Sequence, residues 1–117
     1  MTTGLQTFGH TFHSAVAGTA AVNGSAFEVA GLDAVGVQVA GVATATLAFE
    51  ATIDGSNWAS MRAYSYASGS ASGSATADGL YLVPCTGLDQ VRVPISSQSG
   101  GTITVSGLGV ISSAGMV

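Results

Sequence analysis

Hydrophobic and polar positions alternate with a period of two along most of this chain. Val35, Val37 and Val39 are separated by Gly36 and Gln38, and Leu47, Phe49, Ala51 and Ile53 are separated by Ala48, Glu50 and Thr52. Successive side chains of a strand point to opposite faces, so each run predicts a half-buried β-strand. Asp54-Gly55 supplies the left-handed backbone of a reversal, Asn57 extends the turn, and Trp58 to Tyr66 returns from it. Further on, Asp78-Gly79 turns into Leu80–Val83, where Pro84 predicts an edge strand or a bulge. Thr86-Gly87 turns into Leu88–Ile95, with Val91, Val93 and Ile95 on one face and Arg92 on the other. Gly41 ends the valine strand, and Ser96–Gly101 reads as a polar turn. Beyond it, Ile103 and Val105 begin a last strand in which Gly107 is expected to shift the register, so that Leu108 and Val110 continue the apolar face. The segment Ser68–Ala77 holds only Gly, Ser, Ala and Thr and predicts a flexible connection.

Six to eight short strands with no helical periodicity indicate an all-β chain, an antiparallel β-sandwich of jelly-roll-like form. At 117 residues it is one domain, expected to divide into an extended N-terminal arm, 1–27, and a sandwich, 28–117. The arm is rich in Thr, Gly, Ala and Ser and lacks the apolar mass for a core of its own. Its large side chains, Phe8, His10, Phe12, His13 and Phe27, are the candidates for contact with the main domain or a neighbouring subunit.

Charge changes the picture more than hydrophobicity does. Six carboxylates and two arginines, with no lysine, make 7% of the residues charged, against roughly 25% in an ordinary soluble domain. Gly, Ala, Ser and Thr must therefore cover most of the outside, and such a surface loses little solvation energy when another subunit covers it. Arg62 and Arg92 alone do not make a basic face, so nucleic acid is not an expected partner. The most apolar window, Val29–Phe49, is interrupted by Asp33, Gln38, threonines and glycines, so no membrane span is expected. Met1–Gln6 has neither the basic nor the apolar region of a signal peptide.

Little catalytic chemistry is expected. Cys85 is the single cysteine, follows Pro84 in an apolar stretch and reads as a buried structural thiol. No Gly-x-Ser-x-Gly elbow is present. His10 and His13, three positions apart, fall on opposite faces of a regular strand. Glu50, Asp54 and Asp78 would approach a calcium geometry only if their turns met, and turn or surface roles explain them as well. No metal, cofactor or enzymatic activity is expected. Trp58, Tyr64, Tyr66 and Tyr81 either pack in the core, with Trp58 between the sheets, or share an exposed face that stacks on sugar rings.

The Val35–Val39 strand, the run Phe49-Glu50-Ala51-Thr52-Ile53-Asp54-Gly55-Ser56-Asn57-Trp58, Asp78-Gly79-Leu80-Tyr81, Gly87-Leu88 and Val91-Arg92-Val93 together resemble the β-sandwich modules of tailed-bacteriophage virion proteins. The resemblance runs from about Asp33 to Val110 and leaves 1–27 outside. It implies a structural virion protein, made in the bacterial cytoplasm: a capsid decoration protein that oligomerises on the head, as a trimer for preference, against the major capsid protein or other virion subunits. A tail, collar or fibre component with a carbohydrate-reading face is the alternative, and a secreted bacterial surface or matrix domain a further one.

Overall fold

The computed structural model describes residues 5–18 and 21–112. Among them are eleven strands: β1 (Leu5–Val16), β2 (Phe27–Glu28), β3 (Ala34–Ala48), β4 (Glu50–Thr52), β5 (Ala59–Ser60), β6 (Ala63–Ser65), β7 (Ser70–Ser72), β8 (Ser74–Ala75), β9 (Gly79–Pro84), β10 (Gln90–Arg92) and β11 (Ile95–Ser112). They build two antiparallel sheets. The larger runs β1-β11-β3-β9-β6-β7, with β8 also on β3, and the smaller runs β2-β10-β4-β5. Inward side chains of both, among them Val35, Val37, Val39, Val83 and Val105 from one and Phe27, Ala51 and Val91 from the other, share one core. The expected all-β antiparallel sandwich is what the chain forms.

Several strands run longer than their sequence punctuation predicts. β3 passes through Gly41, and β11 passes through the Ser96–Gly101 stretch read as a turn. Gly101 pairs with Val42, and Gly41, the adjacent residue of β3, falls in a stretch where the β3–β11 register shifts repeatedly. Gly41 and Gly101 have φ of +85° and +87°, and a Cβ on Gly41 would strike the Thr102 carbonyl. They are bulges that bend a continuous ladder, with the Asp78 carboxylate accepting the Val42 N–H at 2.8 Å.

The register at Gly107 also differs from expectation. From Val105↔Val39 to Val110↔Ala34 the ladder is regular, so Gly107 and Gly109 face inward and Leu108 and Val110 face out. The space inside is already filled. A Cβ on Gly107 would lie 2.6 Å from Phe12, and one on Gly109 2.6 Å from Leu32 and 3.0 Å from Phe27.

Three further expectations are corrected. Ser68–Ala77 supplies part of the turn and the second strand of the β6–β7 hairpin and a short strand on β3 instead of a loose connection, with Ala75 buried and serine hydroxyls bonding locally. β9 is an interior strand. It tolerates Pro84 because β6 reaches only Tyr81 and Leu82, so Pro84 loses no bond on that side. The return from the Asp54 turn is not one strand: Ala59–Ser60 joins the small sheet, and the chain then crosses to the large one at Ala63.

Within the expected arm, β1 is extended and packs on the main domain along β11, and Val22 bridges to Ile95. The stretch that could not form a core alone adds Phe12 and Phe27 to the shared one.

Candidate functional site

A β-bulge decides where the histidines go. Thr11 pairs with Ser106 but His13 pairs with Val105, so Phe12 is the extra residue. His10, opposite the inward Gly107, and His13 therefore share the inner face, contrary to the alternation expected of a regular strand. His13 is buried and its Nε2 donates to the Val93 carbonyl at 2.6 Å. His10 stacks on Phe27, centroids 4.6 Å apart and 6° between planes, and meets Phe12 edge-on at 4.8 Å. Phe12, His13 and Phe27 are thus committed to packing within the chain. Phe8 remains 42% exposed.

The carboxylates considered for calcium do not meet. Asp54 is held by its own turn: Oδ1 accepts the Ser56 and Asn57 N–H groups at 2.8 Å and the Thr52 hydroxyl at 3.0 Å, and Oδ2 accepts the Asn57 side-chain amide at 2.7 Å. These bonds, led by the Asn57 backbone, hold its pKa well below the ordinary carboxylate range. Thr52 turns inward to serve this turn, which leaves Ile53 exposed at the strand end rather than on the core face. Glu50 accepts from Arg92 Nε at 2.8 Å, and Asp78 is taken by the bulge. Among the described residues no three of His, Cys, Asp and Glu come together. The Cys85 thiol is buried and donates to the Val83 carbonyl at 3.3 Å; burial pushes its pKa up to about 11.

Of the four aromatics considered together, each has a distinct place. Trp58 lies outside the core, with the Arg92 guanidinium carbon 4.2 Å from its ring centroid, instead of filling the gap between sheets. Tyr81 is buried against Phe49, centroids 5.4 Å apart. Tyr64 and Tyr66 are exposed and meet edge-to-face at 5.6 Å.

The two exposed tyrosines stand on the outer face of the large sheet. In-register pairing lines up Gly9, Leu108, Gly36, Leu82 and Tyr64 in one row across five strands. The rows on either side hold Thr7, Val110, Ala34 and Pro84, and Thr11, Ser106, Gln38 and Leu80. None of these residues is charged. Beside Leu80 lies Tyr66, whose N–H donates to the Leu80 carbonyl at 3.1 Å. A trough of about 270 Å³ runs over Gly36 between Leu108 and Leu80, with Tyr66, Gln38 and Ser106 on its rim. A second depression, about 340 Å³, lies by the Asp54 turn among Ile53, Met61, Ala59 and Leu88.

The sequence matches the XepA family over residues 6–109. The chain belongs to the XepA family. No curated protein sequence matches it. Among solved structures, the SPBc2 prophage-derived protein YomS superposes with a TM-score of 0.85 at 19% identity, covering 95% of this chain and 98% of YomS. The PBSX exported protein XepA superposes with a TM-score of 0.84 at 24% identity, covering 92% of this chain and 38% of XepA. At these identities the likeness is one of fold, and the chain spans well under half of XepA's length. The family match, unlike the phage-module resemblance, includes most of β1, the strand that carries Phe8, His10, Phe12 and His13.

Proposed function

We propose that this member of the XepA family is a phage-encoded structural protein that works by assembly and not by catalysis, a subunit that joins copies of itself and the major capsid protein on the head as a decoration protein. The supporting observation is the outer edge of the large sheet, where, among the described residues, no strand pairs with β1 beyond β11. Among the described residues the other edge strands, β7, β8, β2 and β5, are two or three residues long, whereas β1 has twelve. Natural sheets guard long edges with Lys, inward charges or Pro. Leu5–Val16 contains no charged residue and no proline. Around Phe12 the strand is covered, since Ser25 N–H donates to the Phe12 carbonyl at 3.0 Å. Leu5–Thr11 is left as an uncharged edge onto which a neighbouring subunit adds a strand. Repeated over a symmetric shell, a modest contact of this kind suffices through avidity. The prophage origin of YomS supports a phage source.

The test is sedimentation of purified protein with heads of the encoding phage prepared without it. Saturable binding is expected. The double variant Thr7→Lys/Gly9→Lys, at exposed positions where a Gly9 side chain meets nothing within 4 Å, should lower binding about tenfold with unchanged melting. Heads that sediment bare would overturn the reading. XepA is an exported protein of PBSX, and this favours a second reading, a phage product released from the cell. Recovery of the protein from an induced culture's particle-free medium would select it.

A further inference from the structure

The trough on the outer face of the large sheet goes beyond the assembly reading, because a strand added at the β1 edge leaves that face open. We infer that it is a binding site for a neutral saccharide, seated over Gly36 against Tyr66.

Four observations converge on that ligand. The trough lies on β11, β3 and β9, interior strands whose backbone donors and acceptors are spent in the sheet ladders. An extended peptide finds no backbone partners there, so recognition falls to side chains. Those side chains carry no charge, and an ionic ligand would lose its hydration without a counter-charge. Apolar contact comes from Leu80, Leu108 and Tyr66, which are 52%, 49% and 57% exposed. Polar contact comes from the Gln38 amide, which both donates and accepts, and the Ser106 hydroxyl. A pyranose ring has the matching character, an apolar C–H face and a rim of hydroxyls that are donors and acceptors together. Tyr64 and Tyr66 meet edge-to-face at 5.6 Å, so the Tyr66 ring has an aromatic neighbour beside it on this face.

Gly36 makes room for the ring. A Cβ there would have only the Leu108 carbonyl within 4 Å, at 3.9 Å, so the space above it is open. The size, about 270 Å³, lies just under the usual range of small-molecule sites and suits a single sugar ring. Trp58, the aromatic most suggestive in the sequence, takes no part, since Arg92 covers its ring.

The test titrates the full chain with maltohexaose, cellohexaose and chitohexaose and follows amide chemical shifts by NMR. At least one sugar should shift Gly36, Gln38, Tyr66, Leu80, Ser106 and Leu108 saturably in the millimolar range. Tyr66→Ala should weaken binding about tenfold or more. Gly36→Val, which fills the trough without removing a side chain, should abolish it, and Trp58→Ala should leave it unchanged. Absence of shifts with all three sugars, or binding that survives both Tyr66→Ala and Gly36→Val, would overturn the site. So would concentration-dependent shifts of the same amides without sugar, which would assign the face to a protein contact. Head binding by Tyr66→Ala at the wild-type level separates this site from the assembly reading.

Discussion

The imidazole of His13 donates from Nε2 to the carbonyl of Val93 at 2.6 Å, inside the sandwich. It ties the bulge of β1 to the segment where the chain passes from β10 to β11. Replacing His13 with Ala removes this bond and leaves a cavity beside Gly24, whose missing Cβ is what admits the ring. A loss of about 2–4 kcal/mol is expected, read as a lower urea midpoint with unchanged slope.

Gly41 and Gly101 carry the bend of the β3–β11 ladder. Gly101→Ala places a methyl group against the Gly41 carbonyl at a φ that L-residues rarely adopt. A destabilisation of about 2 kcal/mol or more is expected. Gly9→Ala, where the added carbon meets nothing, should change the melting temperature little. Thermal unfolding of the two variants side by side makes the comparison.

Asp54 gives the fold a pH dependence of definite sign. Its pKa is depressed in the folded state by the Asn57, Ser56 and Thr52 donors. The contribution is therefore present above the ordinary carboxylate value, about 4, and fades as pH falls below it. Asp54→Asn should flatten the stability profile on the acid side. An unchanged profile, measured by denaturant titration from neutral to acid pH, would show that the turn bonds carry no linkage.

Cys85 should resist modification while the chain is folded. With the thiol buried and its pKa raised to about 11, almost no thiolate exists near pH 8. Ellman's reagent should react at the rate of unfolding and stoichiometrically in denaturant.

The sequence revealed the sandwich through residues whose side chains record the strand period, above all Val35, Val37 and Val39. Where glycine occupies an inward position the record is blank. Gly107 and Gly109 lie inside under Phe12, Phe27 and Leu32, so the apolar residues still visible, Leu108 and Val110, looked like the core face and are the outer one. The trough was hidden by that inversion. The bulge at Phe12 had the same effect on His10 and His13, because a single unpaired residue resets alternation and leaves no local signature. Tyr64 and Tyr66 were visible as candidates. Their separation from Trp58 depends on the crossing between sheets after Ser60, where no Gly or Pro marks the change, whereas Tyr81 belongs to the same sheet and faces inward opposite Ser65.

The pairing of β1 with β11 joins Leu5 to Ser112. Of the described strands, the first to leave the ribosome therefore waits for the last, and Phe12 has no seat until Gly107 has been made. Until then β1 has no strand to pair with in its own chain, and a neighbouring copy whose β11 is already made offers the same groove. Translation at high density would then favour exchange of β1 between copies, a route by which the earliest strand of one molecule completes the sheet of another.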